Sequence, residues 1–168
     1  MKTLKSIFSV FIVTGALAVG LFAQTSLSTI DGKSVDIEAQ KGKVVILAVG
    51  AKWLPLSGKQ AEFTAALAKR YSGKDVVVYY IVTDSAAAKS KNFASNDDIV
   101  KFAAVNKLTV PVLRDADGGV LLKKYSIDQL PSFVILDKNG RQVGEAIGGI
   151  DPKFDITVPI SKTVDGLL

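Results

Sequence analysis

No cysteine and no histidine occur anywhere in this chain of 168 residues, and tryptophan and methionine occur once each. The first absence removes thiol–disulfide exchange by the chain's own atoms, because that chemistry needs a thiolate to attack a disulfide and a second thiol to resolve the mixed product. It also leaves the fold without disulfide staples and without the cysteine on which a bacterial lipoprotein anchor is built. The second absence removes the commonest general base and every hydrolase arrangement that pairs a hydroxyl with an imidazole. Lys52 or Lys59 would have to activate Ser57 instead, yet a solvated lysine keeps its proton at neutral pH. Zinc and copper centres built from His and Cys are excluded together, so neither a metal nor another cofactor is expected.

Charge excludes a further class. Lysine and arginine outnumber acids 21 to 16, but the bases are scattered, with Lys123 and Lys124 close to Asp117 and Asp128. No basic stripe interleaved with aromatics is present, so nucleic acid is not an expected partner. Asp115-Ala116-Asp117-Gly118 and Asp137-Lys138-Asn139-Gly140 resemble the opening of a calcium loop. The twelfth positions, Ser126 and Gly148, lack the glutamate that such a loop requires, so both read as turns.

Lys2 and Lys5 precede an apolar run over residues 7–23 that ends in small residues, the pattern of a secretory signal peptide. Cleavage after Ala23 predicts a mature domain over residues 24–168, periplasmic or secreted. Loss of two lysines and no acids lowers its formal charge from +5 to +3. The competing expectation is an uncleaved segment 7–23 that anchors the chain to a membrane, although that run is at the short end for a spanning helix.

Within the domain, residues 26–37 alternate around Asp31-Gly32 and predict an N-terminal hairpin on the rim. The nearly unbroken apolar runs at 44–50 and 75–83 predict strands buried on both faces. Between them Phe63, Ala66, Leu67 and Tyr71 fall at helical spacing, with Gly73 as a stop, so the unit reads as βαβ with parallel strands. Residues 84–96 form a polar loop, read first as a solvated insertion and second as a wall of the face that carries Trp53 and Leu54. A helix follows from Asp97 and Asp98, its inner face made of Ile99, Phe102, Ala103 and Val105, closing at Asn106 and Lys107. Residues 132–136 and 141–147 predict a hairpin in which Asn139-Gly140 supplies positive φ values. The terminal stretch predicts a helix entered at Pro152 and broken near Pro159.

Residues 42–60, GKVVILAVGAKWLPLSGKQ, and residues 130–140, LPSFVILDKNG, carry a resemblance that runs over nearly the whole domain. The first block resembles, without a gap, the pattern GK, apolar strand, W-C-x-x-C and helix start of the thioredoxin-like superfamily, in its TlpA/ResA-like, redoxin branch of thiol–disulfide oxidoreductases. The resemblance implies an α/β fold with a central mixed β-sheet flanked by helices and an N-terminal hairpin extension. It places the attacking cysteine at Leu54 and the resolving one at Ser57. Gln60 stands where that branch has a proton-managing glutamate, and Ala48 where ordinary thioredoxins have a buried aspartate. Pro131 stands at the family's cis-proline. All four departures remove chemistry, leaving no catalytic residue, so the implied protein is redox-inactive, a pseudoenzyme.

What the resemblance leaves is the family's peptide groove, which depends on backbone and apolar side chains. Its expected lining is Trp53, Leu54, Pro55, Leu56, Leu130 and Pro131, and its expected partner a protein or peptide of the cell envelope. Two alternatives stand beside it: an inert paralogue in which Leu54 packs over the vacant position, and a redoxin-type oxidoreductase or antioxidant protein that works with cysteines lent by a partner.

Overall fold

The computed structural model describes residues 25–168; the expected leader and its cleavage point lie outside the described residues. The elements are β1 (Ser26–Thr29), β2 (Ser34–Asp36), β3 (Val44–Gly50), α1 (Ser57–Arg70), β4 (Val76–Val82), α2 (Asn96–Val105), β5 (Val112–Arg114), α3 (Leu121–Lys124), β6 (Ser132–Leu136), β7 (Ile147–Gly148) and α4 (Thr157–Asp165). Among the described residues the strands form one seven-stranded mixed sheet in the order β2-β1-β5-β4-β3-β6-β7. β3 runs parallel to β4 and antiparallel to β6, and the short β2 and β7 form the margins.

The sheet is sandwiched because its central strands are apolar at every position. Side chains alternate across a strand, so Val44, Ile46 and Ala48 point to one face with Val78, Tyr80 and Val82, and α1, α2 and α4 cover them through Leu67, Ile99 and Ile160. Val45, Leu47 and Val49 point to the other, where Leu27, Ile37, Leu121 and Tyr125 close the layer. α1 and α4 are clipped together at their C-terminal ends. Arg70 meets Asp165 at 2.8 Å, and the Tyr71 hydroxyl donates to Asp165 Oδ1 at 2.9 Å.

Several local expectations are corrected. Ala66 is exposed on α1. Val105 is 79% exposed, because it is the final residue of α2 and Asn106 already caps the helix. That helix begins with a capping box not foreseen from its acids: Ser95 accepts from the Asp98 amide while Asp98 accepts from the Ser95 amide. Pro159 does not break α4 but sits in its first turn, where a missing N–H leaves no bond unmade; Pro152 lies outside the helix. In the 137–141 turn only Gly140 has positive φ. The Asp137 amide donates to Arg141 O and the Gly140 amide to Asp137 O, giving a type I turn closed by a left-handed glycine in place of a two-residue turn. Beyond Gln142 the hairpin opens and re-forms only at β7, where Phe133 faces Ile147.

Candidate functional site

β3 ends at Gly50 and α1 begins at Ser57, so residues 51–56 form the connecting turn. Two backbone hydrogen bonds wind it, Leu54 N–H to Ala51 O and Ser57 N–H to Leu54 O, both 3.1 Å. Trp53 stands out into solvent, 52% exposed, and Pro55 is exposed with it. β6 starts beside the end of β3, with Ser132 opposite Val49, and the Leu130–Pro131 peptide bond that precedes it is cis. The six residues expected to line one groove do not all lie open. Leu54 is half-buried and Pro131 is enclosed, while Leu56 packs against the cluster beneath α1 and Leu130 against the cluster on the opposite face of the sheet.

Ser57 and Gln60, two positions where the resemblance expects catalytic groups, serve the structure here. The Ser57 hydroxyl is buried and donates to Ala51 O, closing the turn on itself. A serine so held has neither access nor a base, which removes the serine-nucleophile alternative. Ser57→Ala is expected to lower stability by about 1 kcal/mol through the loss of one buried hydrogen bond, with disulfide reductase and esterase assays at the buffer level for both proteins. Any turnover that disappears in the variant would restore Ser57 as a nucleophile.

Gln60 is fully buried in the first turn of α1. Its Nε2 donates to Val49 O at 3.0 Å and to Ser132 O at 2.9 Å. One amide thus joins β3, β6 and α1, its two N–H hydrogens serving two carbonyls at once. The amide oxygen is thereby turned toward Gly50, 2.2 Å from where a Cβ on that residue would stand. A side chain at position 50 would have to displace the Gln60 amide. Ala48 is likewise buried, opposite Tyr80 on β4 and Phe133 on β6.

Sequence reasoning passed over the polar groups beneath the turn. Asp84, two residues after the end of β4, is 1% exposed, and its Oδ2 accepts the Lys52 amide at 2.7 Å. Burial pushes its carboxyl pKa up, against the backbone hydrogen bond and the positive charge of Lys52 and a smaller pull from Arg114. The Tyr80 hydroxyl, also buried, has its pKa pushed up by burial first and by the Asp84 charge second. The 84–96 segment is no solvated insertion at its ends. Asp84, Ser85 and Ala94 are buried, and Arg114 donates to Ser85 O at 3.0 Å and also to Ala94 O and Asn96 Oδ1.

The two aspartate-rich turns hold backbone amides. Asp115 accepts the Val120 and Leu121 amides, and Asp137 accepts those of Asn139 and Arg141. Among the described residues no group of three or more His, Cys, Asp or Glu side chains is placed to hold a metal ion, and no helix is long and apolar enough to cross a membrane.

A profile of the redoxin family matches residues 19–159. The chain belongs to the redoxin family. This redoxin is 25% identical over 122 residues to the thiol-disulfide oxidoreductase ResA of Bacillus thuringiensis, covering 73% of this chain and 65% of ResA. It is 30% identical over 115 residues to the thioredoxin-like protein YneN of Bacillus subtilis, 68% of this chain and 62% of that protein. The match therefore spans less than two thirds of the length of these curated relatives. Among solved structures, the exposed lipoprotein thioredoxin Etrx1 of Streptococcus pneumoniae superposes with a TM-score of 0.67 and 28% identity, covering 86% of this chain and all of Etrx1. A secreted Mycobacterium tuberculosis disulfide oxidoreductase superposes with a TM-score of 0.66 at 22% identity, over 86% of this chain and 96% of its own, a likeness of fold alone. The redoxin has the thioredoxin-like fold and, with no cysteine, lacks the family's thiols.

Proposed function

We propose that this redoxin is a redox-inactive, secreted protein of the cell envelope that binds an extended protein or peptide segment at the turn between β3 and α1. The observation that carries the reading is Trp53, the chain's sole tryptophan, held more than half exposed on a turn whose Lys52 amide and Ser57 hydroxyl are both engaged inward. Burying such a ring against a partner recovers a large apolar area, and aromatic anchors of this kind dominate binding surfaces. Leu54 and Pro55 extend the apolar contact beside it. The signal-like leader supports an envelope location, as do the exposed Etrx1 and the secreted mycobacterial oxidoreductase among the similar structures.

Binding of the purified domain to an array of unstructured peptides tests the reading. Peptides with two or more apolar residues are expected to bind, and Trp53→Ala to weaken binding by about 2 kcal/mol or more, roughly thirtyfold. An array on which no peptide distinguishes the wild type from Trp53→Ala would sink the binding module and leave the inert paralogue. Reduction of a disulfide substrate only when envelope extract is added would favour the partner-dependent oxidoreductase, whose support is the 25% identity to ResA.

A further inference from the structure

Among the described residues, the buried side-chain atoms without a hydrogen-bond partner are Gln60 Oε1, Tyr80 OH, Asp84 Oδ1, Ser132 Oγ and Arg114 Nε. Four of these five belong to one region beneath the 51–56 turn. Gln60 Oε1 and Tyr80 OH both flank the Cβ position of Gly50, Gln60 bonds the backbone of Ser132, and Asp84 acts electrostatically on Tyr80. Asp84 is the ionisable acid of this group and also its link to the surface. Its bond to the Lys52 amide is, among the described residues, the one hydrogen bond that joins residues 52–56 to an element other than β3 or α1.

We infer that Asp84 is a proton-operated latch: ionised, it holds the Trp53 turn firmly through the Lys52 amide, and protonated, with its carboxyl still buried, it loosens that hold. A buried carboxylate usually accepts several donors, and here the surrounding residues supply Oδ2 with one and Oδ1 with none. The charge-assisted bond is strong while the carboxylate is ionised and falls to an ordinary one when it is neutral. The groups facing Asp84 are Lys52 on the turn and Arg114 on β5, which favour the ion, and Tyr80 on β4, which does not supply a donor. Asp117 lies one contact away through the Ser85 hydroxyl, and Lys52 is shared with Asp98 at the start of α2.

Burial outweighs the two cations, so the folded pKa lies above the unfolded one. Ionised Asp84 is then maintained against folding. Its unfavourable contribution is fully present above the folded pKa, shrinks as pH falls through that value, and is gone below the unfolded carboxylate value of about 3.9. A neutral asparagine in its place is therefore compatible with the fold. The latch rests on the proposed binding reading only for its use, which is to make display of Trp53 depend on pH.

The test follows Trp53 emission of the full chain, excited where tyrosine does not absorb, across a pH titration without peptide. A step is expected above the ordinary carboxylate range while far-UV circular dichroism stays constant. Asp84→Asn should abolish it, and Asp98→Asn and Asp117→Asn should keep it. In the wild type, protection of the Lys52 amide from hydrogen exchange should fall about tenfold across the same step. A step that survives in Asp84→Asn, or a Lys52 amide equally protected on both sides of the titration, overturns the latch. If Asp84→Asn does not fold, the wild-type Lys52 amide decides alone. Peptide binding is read separately, so a failed latch leaves the binding module standing, and a failed binding module leaves the latch measurable.

Discussion

Gln60→Glu, a change of one nitrogen for oxygen, is expected to destabilise the domain by about 4–5 kcal/mol at pH 7 and far less in acid. In the wild type the Gln60 NH₂ faces Val49 O and Ser132 O in a site with no solvent. An ionised carboxylate would present oxygen to oxygen there, with no cation in contact. Buried glutamates without partners have pKa values of about 8 to 9, against about 4.3 when unfolded. Because the folded pKa is raised, the penalty is fully present above it, declines as pH falls through it, and disappears below the unfolded value. The neutral acid still donates only one hydrogen to two carbonyls, so about 1 kcal/mol remains at low pH. Urea unfolding at pH 4 and pH 7 measures the difference. Gln60→Ala is the control, losing about 3–5 kcal/mol at both pH values from the cavity and two unpaired acceptors. A glutamate variant with equal loss at both would mean that Gln60 is not enclosed as described.

The paired substitution Leu54→Cys and Ser57→Cys is expected to close a disulfide in air and to give weak disulfide reductase activity. The Ser57 amide already donates to Leu54 O at 3.1 Å, a hydrogen-bonded turn that keeps the two Cα atoms within about 7 Å and so at the upper edge of disulfide reach or inside it. Ser57 opens α1, and a helix N-terminus favours the thiolate of a cysteine beside it. The gain stays small because Gln60 and Ala48 supply no carboxylate. General acid–base help of that sort is worth about 10²–10⁴-fold. Mass spectrometry of the alkylated and unalkylated protein scores the bond, and turbidity of insulin, as its disulfides are reduced with dithiothreitol as the electron donor, scores the activity. A folded variant with two free thiols after prolonged oxidation would show that the turn does not bring positions 54 and 57 together.

Where the sequence was legible, one strong local signal agreed with the tertiary outcome. Residues 44–50 are apolar without interruption and became the strand buried on both faces; the run over 75–83 became its parallel neighbour. β5 and α3 span three and four residues, too few for any periodicity to register, and were not foreseen. Val105 and Pro159 were misread because helix boundaries are set by caps and by the first-turn tolerance of proline, which spacing does not encode. The missing thiols at Leu54 and Ser57 were plain from the alignment of Trp53-Leu54-Pro55-Leu56-Ser57 with a known pattern. The role of Gln60 was not, because two carbonyls on different strands meet it only after folding. Asp84 left no trace at all: in a run of Asp, Ser and Ala it looks like any solvated loop acid until its partner, 32 residues away, is known.

The margins of the sheet carry a consequence for how this protein behaves in crowded company. β2 has three residues and β7 two, shorter than the roughly five or six residues of an ordinary strand. A neighbouring chain seeking a ladder to extend finds too few successive amides and carbonyls on either side, so stacking into fibres or strand-swapped chains has no template. At high concentration the domain should remain monodisperse, as light scattering would show, because neither flank of the sheet offers an edge long enough to extend.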